Sequence, residues 1–335
     1  MGKIQHSTIR TVAQRAGVSP ATVSRVIGNY GYVSQATRRK VEMVIQELGY
    51  RPDNIARSLV TKNTHTLGLI LTDILNPFFA ELARGVESIT YKNEFSLLIA
   101  NTDEDIEREK TILNTFIEKH VDGILLVPAT SKASTHLQEI IEKQIPLVLV
   151  DRNAENISVD TVMVDNEIGA YRAVSHLIER GHEKIAMILD NPDISTNMER
   201  LAGYRRALLD YGLVTNDLLV RCCQYTTQSA HEIVYELLKE KDRPTALFTA
   251  NNFITIGAIR AIFNMGMRIP EDVALVGFDD LGISQIGYPT VTAVVQPVYE
   301  LGQTAAQRLL ARLAGDKGVP QEIRLQTSFI VRQSS

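Results

Sequence analysis

From Leu67 onward, short apolar runs alternate with longer amphipathic ones. The runs Leu67–Thr72, Phe95–Ala100, Gly123–Val127, Pro146–Asp151, Val162–Asp165, Ile185–Asp190, Ala246–Ala250 and Val273–Asp279 are nearly continuous in apolar residues and have strand length. Between them, Phe79–Tyr91, Glu107–Lys119, Glu167–Arg180, Arg200–Tyr211, Ser229–Lys239 and Thr255–Met265 repeat their apolar residues at helical period. Continuous strands separated by helices predict parallel sheets covered on both faces, an α/β fold. This is more chain than one such unit uses, so two lobes are expected. Ligands of open α/β sheets bind beyond the carboxyl ends of the strands. Asp151, Asp165, Asp190, Asn251 and Asp279 stand at such ends.

The first fifty residues follow another pattern. Thr8 can cap a helix whose inner face is Ile9, Val12, Ala13 and Ala16, and Gly17 supplies the backbone freedom for a tight turn. Ser19 then caps a second helix with Pro20 at its first position, where the missing N–H costs nothing. In this helix Val23, Val26 and Ile27 point inward, while Ala21, Thr22 and Arg25 can point out. A third helix follows Ser34, with Val41, Val44, Ile45 and Leu48 at i, i+3, i+4 and i+7 and Gly49 to end it. Helix, glycine turn and short helix with a polar outer face describe a helix-turn-helix. A three-helix bundle that touches no DNA has the same outline.

Charge favours the first without deciding between the two alone. Residues 1–62 hold ten Lys or Arg against three acids (Glu42, Glu47, Asp53), a net of +7. The rest of the chain holds 25 basic and 36 acidic side chains, a net of −11, which gives the overall −4. A basic head on an acidic body points to a polyanion as the head's partner. With 335 residues, 44% apolar and 22% charged, the chain has room for real cores and is far from a disordered composition. No apolar run reaches the length of a membrane span, and residues 1–7 lack the apolar stretch of a secretory signal. The two cysteines, Cys222 and Cys223, are adjacent and ill placed for a disulfide, so a reducing, cytoplasmic setting is expected, with no membrane partner.

The run from Thr8 through Val26 (Thr8-Ile9-Arg10-Thr11-Val12-Ala13-Gln14-Arg15-Ala16-Gly17-Val18-Ser19-Pro20-Ala21-Thr22-Val23-Ser24-Arg25-Val26) resembles the DNA-binding head of the LacI/GalR (lactose-repressor) family. The likeness continues through Val33-Ser34, Thr37-Arg38 and Leu48-Gly49-Tyr50. In the body it is carried by Asn76-Pro77-Phe78-Phe79, Val121-Asp122-Gly123-Ile124, Asp151-Arg152, Arg180-Gly181-His182, Arg200-Leu201-Ala202-Gly203-Tyr204 and Val276-Gly277-Phe278-Asp279-Asp280. The resemblance implies a helix-turn-helix domain over 1–50, a hinge helix and linker over 51–62, and a two-lobed body over 63–335 that resembles periplasmic sugar-binding proteins. It places the first lobe at about 64–164 plus 297–325 and the second at about 165–296 plus 326–335, with three crossover strands between them.

Residue by residue, the resemblance assigns DNA contacts to Ser19, Pro20, Ala21, Thr22, Ser24, Arg25, Ser34, Thr37 and Arg38, and to Ala56 and Leu59 in the hinge. Arg25 is expected to read a base and Arg38 a phosphate. Leu59 corresponds to a leucine wedged into the minor groove. It assigns effector contacts to Phe78, Phe79, Asp151, Arg200, Tyr225, Asn251 and Asp279. Asparagine replaces a frequent aspartate at Asn252, and Ile194 stands where purine-responsive members carry an arginine, so a sugar or sugar derivative is the expected effector. Partners are near-palindromic operator DNA and a second copy of the chain. Leucine heptads are absent after Arg332, which favours a dimer over a tetramer. No cofactor or metal is implied.

The function expected is a ligand-responsive transcriptional regulator, a repressor of carbohydrate uptake or catabolism genes. The alternative is a cytoplasmic solute-binding or sugar-converting protein with an accessory helical head. For an enzyme, the chain lacks G-x-S-x-G, a P-loop, a strand-following G-x-G-x-x-G and H-E-x-x-H.

Overall fold

The computed structural model describes residues 8–28, 30–50, 63–132, 135–280 and 289–335. The chain divides into two compact units, residues 1–64 and 65–335. In the first, α1 (Ile9–Ala16), α2 (Pro20–Gly28) and α3 (Gln35–Glu47) pack around Val12, Ala13, Ala16, Val23, Val26, Val41 and Val44. Thr8 and Thr11 form a reciprocal capping box, and Gly17 ends α1 in the left-handed region at φ 64°.

The second unit holds two six-stranded sheets. One has the order β11-β5-β4-β3-β1-β2, the other β12-β10-β9-β8-β6-β7. In the first sheet β1 (Thr66–Leu71), β3 (Gly123–Leu126), β4 (Leu147–Val150) and β5 (Asp160–Val164) form the centre, with β2 (Ser96–Asn101) and β11 (Glu322–Leu325) at the edges. In the second, β6 (Ile185–Leu189), β8 (Ala246–Thr249), β9 (Ala274–Phe278) and β10 (Thr292–Val295) lie between β7 (Val220–Cys222) and β12 (Ser328–Ile330). All pairings are parallel except β10 with β12. The central strands are buried almost throughout, which is why they read as continuous apolar runs.

Around the first sheet pack α4 (Pro77–Lys92), α5 (Ile106–Glu118), α6 (Thr135–Glu142) and α11 (Val298–Leu313). Around the second pack α7 (Asn166–Glu179), α8 (Ser195–Asp210), α9 (Thr227–Lys239) and α10 (Asn252–Asn264). Helix α4 meets α11 backbone to backbone. A Cβ at Gly85 would stand 2.2 Å from the Tyr299 carbonyl oxygen, and one at Gly302 2.3 Å from that of Leu82.

The chain passes between the sheets three times: from β5 into α7, from β10 into α11, and from β11 into β12. One or two residues make each passage. Asp165 accepts the Thr327 N–H at 2.6 Å and so ties the first passage to the third. This corrects the expectation for Asp165, which is a clasp between passages and does not line the cavity described below. Helix α8 begins at Ser195, not at Arg200. Its first turn, Ser195-Thr196-Asn197, is polar yet buried, so it shows no apolar period to read.

Candidate functional site

On the head, local polar contacts set the outer surface. The Ser19 hydroxyl accepts the Thr22 N–H at 3.1 Å and lies 2.9 Å from the Thr22 hydroxyl. Ser34 and Thr37 repeat the arrangement at the start of α3, at 3.3 and 2.9 Å. Ser19 and Ser34 therefore serve first as helix caps, with the Thr22 and Thr37 hydroxyls bonded to them. Pro20, Ala21 and Arg25 are exposed on α2, and the Ser24 hydroxyl lies 2.9 Å from that of Tyr30. Arg38 is partly buried, with its guanidinium 3.4 Å from the Val26 carbonyl near the end of α2. Ala56 and Leu59, with the rest of 51–62, lie outside the described residues.

In the body, a cavity opens between the carboxyl ends of the two sheets. All seven residues singled out there, Phe78, Phe79, Asp151, Arg200, Tyr225, Asn251 and Asp279, line it. Asp151 follows β4 at φ 67° and Asp279 follows β9 at φ 79°. The two strands hold equivalent places in the two sheet orders. Each sheet thus turns one aspartate into the cavity through a left-handed residue, a conformation that Asp tolerates better than most.

Arg200 is the hub. Its Nε donates to Asn166 Oδ1 at 2.9 Å and its Nη1 to the Ala250 carbonyl at 2.5 Å. The guanidinium carbon lies 3.8 Å from the centre of the Phe278 ring. Burial pulls the Arg200 pKa down, against the pull of Asp279 and Asp151. Burial also raises all three cavity carboxyls. Asp151 is pushed up to about 6, with Arg152 and Arg200 opposing the shift. Asp279 rises against Arg200 and the Gln296 amide, which donates to it at 2.5 Å. Asp190 rises against Arg152 and is held by the Asn197 amide.

Phe78 and Phe79 meet edge to face, ring centres 5.0 Å apart, and belong to the core of the first sheet as well as to the cavity wall. Tyr225 sits 5.3 Å from Phe253, and burial raises its phenol pKa. Asn251 spends its Oδ1 on capping α10, accepting the Ile254 N–H, which leaves its Nδ2 as the donor it can turn to a ligand.

The lining also includes Asn76, Arg152, Asp190, Thr196, Asn197 and Gln296, which residue-level reading did not assign. Asp190 had a signal as a polar strand end, and Asn76 and Arg152 stood inside recognised motifs. Gln296 lies on the second passage between sheets and had none. Asn76 bridges the cavity, with Nδ2 donating to the Tyr225 hydroxyl at 2.5 Å and Oδ1 accepting from Asn252 at 2.6 Å. The amide at 252 thus has a neutral amide partner, consistent with asparagine there. The Ser195 amide donates to Ser131 at 2.8 Å, and its hydroxyl accepts from the Asn153 amide at 3.1 Å. Ile194 is buried and is not part of the lining. Among the described residues, no group of three or more His, Cys, Asp or Glu is placed to hold a metal ion. No helix of these residues is long and apolar enough to cross a membrane.

Residues 8–53 match the family described as bacterial regulatory proteins, lacI family, and residues 174–335 match the periplasmic binding protein-like domain. An HTH-type transcriptional repressor PurR of Aliivibrio fischeri is 36% identical over 332 residues, 98% of each chain. The lac repressor dimer, solved bound to operator and the anti-inducer ONPF, superposes with a TM-score of 0.88 at 26% identity, covering 98% of this chain and 99% of that one. The transcriptional regulator CelR–cellobiose complex superposes at 0.74 with 33% identity, covering 98% and 100%. The chain belongs to the lacI family of DNA-binding transcriptional regulators. That membership, and no missing motif, decides for a regulator over an enzyme.

Proposed function

We propose that this regulator is a cytoplasmic homodimeric repressor whose effector is a neutral sugar or sugar derivative, and that it governs genes of carbohydrate uptake or catabolism. Residues 1–50 bind operator DNA, 51–62 form the hinge with Ala56 and Leu59 at the minor groove, and 63–335 bind effector and the second copy. Within that body the first lobe is about 64–164 plus 297–325, and the second about 165–296 plus 326–335. On the head, Arg25 reads a base, most naturally guanine through its planar fork, while Arg38 contacts a phosphate. The hydroxyls of Ser19, Thr22, Ser34 and Thr37 stand at helix starts, where backbone N–H groups also favour phosphate.

One observation carries the effector class: three carboxylates, the buried Asp151 and Asp190 and the partly buried Asp279, face the cavity with two guanidiniums. One of these, Arg152, is already held by Glu104 at 2.7 Å. Such a lining offers acceptors for hydroxyl groups and repels phosphate and carboxylate. Phe78, Phe79 and Tyr225 supply apolar walls for a sugar ring, and Arg200 and Asn251 supply donors. The sugar-bound relative supports the same class.

The test is a thermal-shift screen of the full chain with neutral mono- and disaccharides, each beside its phosphorylated and carboxylated counterpart. A neutral sugar should raise the melting temperature, by an amount equivalent to about 2.7 kcal/mol at 100 times Kd. Stabilisation by the anionic counterparts alone would overturn the assignment.

A further inference from the structure

Gly28 closes α2, and a Cβ placed there would stand 2.6 Å from both Cδ1 and Cε1 of Tyr30. The Tyr30 ring therefore packs against bare backbone at the end of the helix, in space that only glycine leaves open. Its amide donates to the Arg25 carbonyl at 3.2 Å, and its phenol oxygen lies 2.9 Å from Ser24 Oγ. Tyr30 thus folds back over the turn of α2 that carries Ser24 and Arg25. Next to it, Gly31 at φ 69° lies close under the Arg25 side chain, whose Cδ is 3.6 Å from where a Cβ would be.

Packing alone does not account for this ring. Tyr30 is half exposed and takes no part in the head's apolar core, which instead recruits Tyr50. What the fold-back achieves is a pair of touching hydroxyls beside an exposed arginine. Two hydroxyls in contact use one proton between them and leave the other for an outside acceptor, with its direction set by the inner bond. Hydroxyls of Ser, Thr and Tyr are common donors to DNA phosphates, and such contacts fix a protein's register on the duplex.

We propose that Tyr30 is a DNA-contacting residue that acts as one unit with Ser24, delivering a single oriented O–H to a phosphate oxygen next to the base reached by Arg25. Gly28 is the residue that admits it. The proposal rests on α2 facing the duplex, as read above.

The experiment uses the full chain and a duplex that it selects from a randomised pool, with affinity followed by fluorescence anisotropy over a range of salt concentrations. Tyr30→Phe and Ser24→Ala should each weaken binding about 10- to 30-fold across two half-sites, the size expected of one neutral hydrogen bond per half-site. The double variant should be no weaker than the worse single one, because the pair donates one proton outward. The slope of log affinity against log salt should stay unchanged, since a neutral donor releases no counterions. Gly28→Ala keeps the phenol but displaces the ring, and should lose as much as Tyr30→Phe. Tyr30→Phe binding within twofold of the parent, at an equal melting temperature, would overturn the proposal. So would losses that multiply in the double variant, which would mean two separate contacts. Arg25→Ala binding like the parent would overturn the α2 reading itself, and this proposal with it.

Discussion

In the head, the hydroxyls of the outer surface are tied to partners three to six positions away, as in Ser19–Thr22, Ser34–Thr37 and Ser24–Tyr30. In the body, Arg200 reaches 34 positions to Asn166, and Asn76 reaches 149 to Tyr225 and 176 to Asn252. The head's polar groups are also largely exposed, whereas the cavity of the body buries most of its charges. A local, wet site costs little to build and tolerates change. A long-range, dry one draws on the whole fold, because each buried charge needs a partner brought from elsewhere.

The sharpest test of that contrast is Arg200→Ala. It removes the cation facing Asp279 and Asp151 and leaves the Ala250 carbonyl without its donor, so it should lower body stability by about 3–5 kcal/mol as well as abolish any effector response. A denaturation midpoint equal to the parent's would show that the charges of the cavity are better solvated than their burial implies.

Asp151→Asn should act in the opposite direction. With its pKa near 6 in the folded chain and 3.8 unfolded, Asp151 binds its proton more tightly when folded. Its contribution is therefore fully present below about pH 4 and is lost as the pH rises through 6. Asparagine suits the φ of 67° at this position and cannot ionise. Its stability curve should separate from the parent's between pH 4 and 6, reaching a gain on the order of 2–3 kcal/mol at pH 7.5. Parallel curves across that range would place the carboxyl at an ordinary pKa.

Ser34→Ala should have the smallest effect, about 1 kcal/mol, and confine it to the head. Amide exchange should speed at Thr37 and along the first turn of α3 while the body's amides keep their rates. Spread of the effect into residues beyond 65 would erase the contrast between the two units.

The same difference in range governs how much could be read from the chain alone. Thr8, Gly17, Ser19 and Ser34 declare the head's helix ends because a cap and its target are three residues apart. Apolar runs and helical period expose β1–β6, β8 and β9 and the helices α4, α5 and α7–α10 for the same reason, but not β7, β10, α6 or α11. The first turn of α8 escapes, since Thr196 and Asn197 face a polar cavity and break the amphipathic rule they would otherwise follow. Asp165 looks like any other strand-end aspartate until Thr327, 162 positions on, is brought against it. The edge strands β11 and β12 are short, and β11 carries alternate exposed residues, so neither stands out as an apolar run. Gln296 becomes part of the cavity only because the second passage between sheets runs beneath Asp279.

Those passages also fix the mechanics of the body. Two bodies joined by one strap can swing, twist and slide. Joined by three short straps side by side, two of them pinned together by Asp165 and Thr327, they keep one easy freedom, a bend about the line of the straps, like a door on its hinges. A change at the cavity mouth is then expressed as a single angle. Since the halves are stiff close-packed sheets, that angle reaches their far ends undiminished.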